Sequence, residues 1–183
     1  MGEVIQPGTY ALSAFSTVFH ALYRAGGVSG IGSLRNVKVS RGGQTVATVD
    51  VYQFIMQGKT RDDIRLEEGD VIIVPAYEEL VQITGNVKRP MRYEMKKGET
   101  LSTLLKYAGG FTSDAYTKSL RIVRQNGKEY QVNTVDDTDY SVCQLHDGDV
   151  ITAEAILDRF TNKLEVRGAV YRPGIYELGG KLN

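Results

Sequence analysis

The sequence is poor in the residue types that build metal centres and covalently cross-linked cores. Its 183 residues include one cysteine and two histidines. The lone Cys143 excludes a disulfide within the chain and a cysteine metal cluster, and it is compatible with any cellular compartment. His20 and His146 have no Ser, Cys or second His at the spacing that a catalytic triad or a histidine metal site requires. The residues therefore predict no enzyme, no metal and no cofactor.

Long apolar runs and an excess of one charge are also missing. No segment reaches the roughly 18 apolar residues of a membrane-spanning helix. The 22 Lys and Arg residues balance 22 Asp and Glu residues, so the formal net charge is zero. Such a balance argues against nucleic-acid binding and against attraction to an anionic membrane surface. We therefore expect no nucleic-acid partner and no direct membrane insertion by this stretch.

What the sequence does contain is an internal repeat with an offset of 83 residues, which aligns Pro7, Pro90 and Pro173. The same offset aligns Gly-x-Val at Gly2, Gly85 and Gly168, the tyrosines Tyr10, Tyr93 and Tyr176, and Ala-Gly-Gly at 25–27 and 108–110. A register held over so many positions indicates tandem copies of one unit. We expect units at 1–77, with a truncated first strand, and 78–157, followed at 158–183 by the first hairpin of a third copy. Both ends of the chain cut through the repeat, which is typical of an excised fragment.

Each complete copy is expected to contain a hairpin, one main helix, a second hairpin and a closing strand. The helices, Ser16–Ala25 and its counterpart starting at Leu101, carry apolar residues at i, i+3, i+4 and i+7. Capping residues precede each helix, and Gly-Gly ends it. Pro7-Gly8 and Pro173-Gly174 suit the centre of a type II turn. A helix on one face of a small mixed sheet belongs to the α+β class.

These stretches together resemble SLBB domains, whose name stands for soluble-ligand-binding β-grasp. The pattern is G-x-V-x-x-P-G-x-Y, T-L-x-x-L-L-x-x-A-G-G, V-x-I-x-R and L-x-x-G-D-x-I-x-V-P. It is carried by Gly2, Val4, Pro7, Gly8, Tyr10, 25–27, Arg41, Gly69, Asp70 and Pro75, and again by Gly85, Val87, Pro90, Tyr93, Thr100, Leu101, Leu104, Leu105, 108–110, Arg124, Gly148 and Asp149. Departures are Met91, Ala153 and an insert at 51–59, expected to form a short helix or turn. The resemblance implies two tandem β-grasp domains and the first hairpin of a third.

Tandem SLBB domains are similar to the periplasmic part of bacterial outer-membrane polysaccharide export proteins. The resemblance implies a non-enzymatic periplasmic fragment, outer-membrane associated in the full-length protein. It would oligomerise into a channel or scaffold and guide capsule polysaccharide or exopolysaccharide across the envelope. The implied partners are other subunits of the same protein, the polysaccharide and an inner-membrane polysaccharide co-polymerase. The alternative is a soluble glycan-binding or small-ligand-binding domain, which one compound would stabilise saturably against heat.

Five residues are candidate contacts for a glycan or a partner protein: Arg89, Tyr93, Arg172, Tyr176 and Tyr10. Aromatic faces stack on sugar rings and also anchor protein interfaces. Arginines beside the turn prolines suit acidic sugars or carboxylates of a partner. Packing of the repeated tyrosine within the fold, and solvation of the arginines, remain open as alternatives.

The hairpin at 163–178 lacks the rest of its unit. An isolated hairpin is marginally stable in water, and an open sheet edge favours pairing with another strand. We therefore expect this hairpin to dock on a sheet edge, either within the chain or in a neighbouring molecule.

Overall fold

The computed structural model describes residues 1–179. In chain order its elements are α1 (Val18–Arg24), β1 (Val37–Arg41), β2 (Gln44–Val49), α2 (Val51–Gln57), β3 (Val71–Ile73), β4 (Glu79–Gly85), β5 (Met91–Met95), α3 (Leu101–Tyr107), β6 (Ser119–Gln125), β7 (Tyr130–Asp136), a 3-10 turn (Asp137–Asp139), β8 (Val150–Ala153), β9 (Lys163–Val166) and β10 (Gly174–Glu177). The insert expected at 51–59 contains α2. Residues 180–183 of the expected third copy lie outside the described residues.

The strands form two sheets that carry helices and one hairpin that stands apart. Unit 1 has the sheet order β2-β1-β3 with α1 and α2, and unit 2 has the order β5-β4-β8-β6-β7 with α3. In unit 2, β4 and β8 are parallel and the other neighbours are antiparallel. Unit 1 retains the end of the same parallel arrangement, as a bridge between Gly2 and Val74. The predicted α+β class is confirmed.

Each unit buries the predicted helix stripe against its sheet. In unit 2, Leu101 and Leu104 of α3 are fully buried among side chains from β4, β5, β6 and β8. In unit 1, Val18 and Leu22 of α1 pack against the valines of the sheet. Full burial of each large apolar side chain contributes about 1.5–3 kcal/mol. Leu34 packs against both clusters, so the two cores meet at this residue.

The predicted type II turns at Pro7-Gly8 and Pro173-Gly174 are wrong, because neither Gly8 nor Gly174 has a positive φ. The left-handed glycine instead comes six residues earlier, at the start of each Gly-x-Val, where φ is +84° at Gly2, +81° at Gly85 and +103° at Gly168. The valine two residues later donates its N–H to the glycine carbonyl at 2.8–2.9 Å in all three copies. The reversal therefore begins at the repeated glycine.

Contact with the closing strand explains why glycine stands there. A Cβ on Gly85 would lie 2.0 Å from the carbonyl oxygen of Ala153, and one on Gly2 would lie 2.2 Å from that of Val74. Positive φ and this close approach both select glycine. Around Gly168 nothing lies within 4 Å of such a Cβ, since among the described residues no closing strand follows the third hairpin.

The hairpin of β9 and β10 pairs only with itself in the described part of the chain. The expectation that it docks on a sheet edge within the chain is therefore wrong for these residues. The linker before this hairpin is longer than the linker between the two units. Tyr77 and Ile156 have matching positions at the ends of units 1 and 2. After Tyr77 the next strand, β4, begins at Glu79, whereas after Ile156 the next strand, β9, begins only at Lys163. Docking in a neighbouring molecule stays a prediction.

Candidate functional site

The repeated tyrosine makes the same hydrogen bond in each copy. Its hydroxyl donates to the main-chain carbonyl four residues earlier: Tyr10 to Gln6 at 2.5 Å, Tyr93 to Arg89 at 2.9 Å and Tyr176 to Arg172 at 2.6 Å. The bond ties each repeated tyrosine to the turn before it. Tyr93 is 1% exposed, and burial raises its pKa. Its ring packs in the core of unit 2 and presents no face to a ligand, whereas Tyr10 and Tyr176 are partly accessible.

Both candidate arginines are exposed on turns. The guanidinium of Arg89 lies close to Gly109, just after α3, since a Cβ on Gly109 would be 3.4 Å from its Nε and Nη2. A cation is favoured there, because the carboxyl end of a helix carries partial negative charge. Arg89 and Arg172 are each linked to the tyrosine of their own copy. Within residues 1–179, no hydrogen bond or ion pair joins the candidate residues of different copies.

The Arg and Asp of the repeat pattern pair with each other in both units. Arg124 Nε and Nη2 donate to the two carboxylate oxygens of Asp149 at 2.8 and 2.7 Å. Arg41 makes the same two-bond contact with Asp70 at 2.8 and 2.9 Å. The hydrogen bond from Arg41 holds the pKa of Asp70 below its ordinary value. These pairs join β1 in unit 1, and β6 in unit 2, to the turn before the closing strand, so they stabilise the fold.

The most elaborate polar arrangement lies between the units and is centred on Arg35, whose side chain is 3% exposed. Its Nε donates to Asp50 Oδ1 at 2.9 Å within unit 1. Its Nη1 and Nη2 donate to the two oxygens of Glu99 in unit 2, at 3.0 and 2.9 Å. Its Nη1 also donates to the carbonyl of Glu94 at 3.0 Å, and its guanidinium lies 4.5 Å from the ring centre of Tyr52.

Side chains from both units complete this contact. The carboxylate of Glu94 on β5 accepts hydrogen bonds from Ser33 Oγ and from the main-chain N–H of Leu34, at 2.5 and 2.7 Å. Tyr52 on α2 accepts from the main-chain N–H of Glu94 at 3.0 Å. Lys96 Nζ lies 2.6 Å from Asp50 Oδ2. We call the set of Arg35, Asp50, Tyr52, Glu94, Lys96, Glu99 and Tyr107 the Arg35 cluster.

Two carboxyl groups of the Arg35 cluster, those of Asp50 and Glu99, are held in their charged forms. Burial alone would raise the pKa of Asp50, but hydrogen bonds from Lys96 and Arg35 outweigh it and keep that pKa below its ordinary value. Burial likewise opposes ionisation of Glu99, and Arg35, the Lys96 main chain and Tyr107 together lower its pKa. Burial and a hydrogen bond to Glu99 raise the pKa of Tyr107 to about 12. The cluster is a salt-bridged joint, in which Arg35 of unit 1 pairs with Glu99 of unit 2 and Lys96 of unit 2 pairs with Asp50 of unit 1.

The Arg35 cluster was not predicted from the sequence, although comparing the copies gives a signal for it. At the 83-residue offset, the first copy has Ala11, Ser13 and Ser16 where the second has Glu94, Lys96 and Glu99. Charged residues that only the second copy has indicate a surface whose contacts are made by the second copy and not by the first. Arg35 itself corresponds to Lys118, which pairs with Asp137 at 2.9 Å on the surface.

The histidines take part in local main-chain structure. His20 Nδ1 accepts a hydrogen bond from the main-chain N–H of Thr17, the residue before α1, at 3.2 Å. The main-chain N–H of His146 donates to the carboxylate of Asp149 at 2.9 Å. Within residues 1–179, no three His, Cys, Asp or Glu side chains are grouped as metal ligands. In the same range, no helix has the length and apolar character needed to cross a membrane.

Comparison with known proteins gives two kinds of match. Family models described as SLBB domain match residues 1–74 and 80–133, which correspond to unit 1 and to the larger part of unit 2. Two curated relatives from Escherichia coli, both called polysialic acid transport protein KpsD, are 31% identical over 84 residues. The aligned stretch is 46% of this chain and 15% of each relative. The two domain matches together cover more than half of the chain, which therefore belongs to the SLBB domain family and carries two SLBB domains in tandem.

Proposed function

We propose that the chain is part of a polysaccharide export protein and acts as an oligomerising scaffold or channel module that guides a glycan across the cell envelope. The observation that carries the proposal is the joint between the SLBB units, where a buried ion network fixes one domain against the next. Domains that only bound separate ligands would not need such a joint. The similarity to polysialic acid transport proteins supports the same role.

In this proposal the chain makes and breaks no covalent bond. It lies in the periplasm, as part of a protein associated with the outer membrane. Its partners are further copies of itself, the glycan and an inner-membrane polysaccharide co-polymerase. The proposed domain boundaries are 1–77, 78–157 and 158–183, the last being the start of a third SLBB repeat.

The proposed glycan contacts are the exposed arginines Arg89 and Arg172, with Tyr10 and Tyr176 beside the corresponding turns. Polysialic acid, named for the relatives, is a chain of sugars that each carry a carboxylate. A planar guanidinium suits carboxylates, and aromatic faces suit sugar rings. Tyr93 supports this surface from below, because its hydroxyl fixes the main chain at Arg89.

A second candidate function is the binding of one soluble glycan or small ligand. It is favoured by a groove of about 900 Å³ in unit 1, between α1 and the residues that lead into β3. That volume lies within the range of ordinary ligand sites, about 300–1,000 Å³.

Light scattering and thermal unfolding in the presence of sialic acid oligomers distinguish the two functions. A scaffold module should assemble as protein concentration rises, and short oligomers should shift its melting temperature little. A binding domain should stay monomeric and be stabilised saturably, following RT ln(1 + [L]/Kd). The second result would overturn the proposal.

A further inference from the structure

A cleft of about 250 Å³ lies where the linker between the two units meets the sheet of unit 2. Four polar side chains from different elements line it: Tyr77 of the linker, Gln82 of β4, Arg92 of β5 and Asp147 of the turn before β8. At about 30 Å³ per water molecule, this space holds about eight waters. It is therefore large enough for one sugar ring and too small to enclose a longer ligand.

The fold fixes the walls of this cleft. The main-chain N–H of Tyr77 donates to the carbonyl of Ile31 in unit 1 at 3.0 Å. Gln82 lies directly opposite Arg92 in the β4–β5 pair, so their side chains stand together on one face of the sheet. One carboxylate oxygen of Asp147 accepts a main-chain N–H of β4 at 2.7 Å. Both units therefore contribute to a cleft that is formed before any ligand binds.

The polar groups in the cleft are not consumed by the fold. Within residues 1–179, the Tyr77 hydroxyl, the Gln82 amide and the Arg92 guanidinium make no hydrogen bond or ion pair with another residue. The repeat does not require the arginine either, because the residues at its position in the other copies are Thr9 and Ile175. These side chains are therefore available to a ligand.

The chemistry of the lining suits a neutral sugar. A guanidinium supplies donors, a carboxylate supplies acceptors and an amide supplies both, and together they match the hydroxyl groups of a sugar. The ring of Tyr77 adds an aromatic face on which a sugar ring stacks. The charges of Arg92 and Asp147 cancel, and Glu78 and Glu79 follow Tyr77 in the chain. An acidic sugar would therefore meet no excess of positive charge here.

We propose that this cleft binds one neutral sugar unit of the glycan, with its ring stacked on Tyr77. The hydroxyl groups of the sugar then bond with Gln82, Arg92 and Asp147. The inference rests on the proposed function, since it takes a glycan as the ligand. It adds a contact whose chemistry differs from that of the proposed arginine contacts for acidic sugars. Because Tyr77 is bonded to unit 1, the contact needs both units in place.

Saturation-transfer difference NMR with the whole chain tests the proposal. The neutral probes are maltotetraose, mannotetraose and tetra-N-acetylchitotetraose, and a sialic acid tetramer is the acidic probe. We expect at least one neutral probe to bind saturably, with a Kd on the order of 1 mM, as ligand efficiency allows for one sugar ring.

Two variants of exposed strand residues locate the binding. Arg92→Thr, in which threonine is the residue of the first copy, should weaken binding of the neutral probe about tenfold or more, because hydrogen bonds from a charged donor are lost. Arg121→Thr is the matched control. It removes an arginine from β6 of the same sheet, outside the cleft, where the side chain is 47% exposed, and it should leave binding unchanged.

Three results would overturn the proposal. The first is the absence of saturable binding by all three neutral probes, and the second is equal affinity of the wild type and Arg92→Thr for a probe that binds. The third is loss of sialic acid tetramer binding in Arg92→Thr, which would assign the cleft to an acidic sugar. Assembly with rising protein concentration is measured separately, so the proposed function stands or fails independently of this cleft.

Discussion

Replacing Arg35 by alanine removes the centre of the joint between the two SLBB domains. The side chain makes four hydrogen bonds of 2.9–3.0 Å, one to Asp50, two to Glu99 and one to the carbonyl of Glu94. It also covers the ring of Tyr52. The alanine variant leaves two carboxylates facing a vacated space at the boundary.

The expected loss of stability follows from the exposure of the groups left behind. Removing one partner of a fully buried ion pair costs about 3–5 kcal/mol. Here Lys96 still neutralises Asp50, and the side chain of Glu99 is 20% exposed and can regain some water. We therefore expect Arg35→Ala to lower the free energy of unfolding by about 2–4 kcal/mol. Arg35→Lys keeps the charge and loses the planar fork, so its effect should be smaller.

Urea unfolding followed by tyrosine fluorescence and far-ultraviolet circular dichroism measures the loss by linear extrapolation. Because the cluster joins the units, the variant should also unfold in two separated steps in place of one. Lys118→Ala is the matched control, at the equivalent position of unit 2, where the side chain is 69% exposed. The midpoint of urea unfolding of Lys118→Ala should equal that of the wild type. Equal unfolding curves for Arg35→Ala and Lys118→Ala would refute the assigned role of the cluster.

Three further predictions concern the repeated glycine, acid stability and the buried tyrosine. Gly85→Ala should destabilise the chain by about 2–5 kcal/mol, since strain at positive φ adds to the clash with Ala153. The control is Gly110→Ala, which has a φ of +82° but nothing within 4 Å of a Cβ, and it should cost about 1–2 kcal/mol. Chemical denaturation measures both losses of unfolding free energy. The lowered pKa values of Asp50 and Glu99 stabilise the fold above about pH 4. The free energy of unfolding should therefore fall as the pH drops below that value. A free energy of unfolding that stays constant from pH 6 to about pH 3 would contradict this. Tyr93→Phe removes the hydroxyl whose single proton is shared between the main-chain carbonyls of Arg89 and Tyr107, at 2.9 and 3.2 Å. It should cost about 1 kcal/mol, and an unchanged melting temperature would show that this hydrogen bond contributes nothing.

Local sequence patterns were sufficient to predict the helices. The stripe of Leu101, Leu104 and Leu105 specifies a buried face through its spacing alone. The glycines after each helix adopt positive φ as expected, at Gly109 and Gly110, because a helix end is a local structure. The register of the repeat also located the closing strands, since they follow matching Gly-Asp turns.

Features that depend on distant contacts were missed. The turn was assigned to Pro7-Gly8 from local preference, whereas the left-handed residue is Gly2, whose close neighbour Val74 is far away in sequence. Arg35 gave no local signal, because its partner Glu99 belongs to the other domain. Glu99 lies just before the helix start, where local preference already favours an acidic residue, so it gave no sign of a distant partner. Tyr93 was a candidate ligand contact, and its burial follows from the packing of β5 against α3.

The most direct test of the central claim is a distance measured between the two SLBB domains. Spin labels at Thr45→Cys in unit 1 and Lys128→Cys in unit 2, both exposed, with Cys143→Ser, report this distance by pulsed electron resonance. A rigid joint predicts one narrow distance distribution that broadens when Arg35→Ala is added. A distribution that is already broad with Arg35 intact would contradict a fixed tandem module.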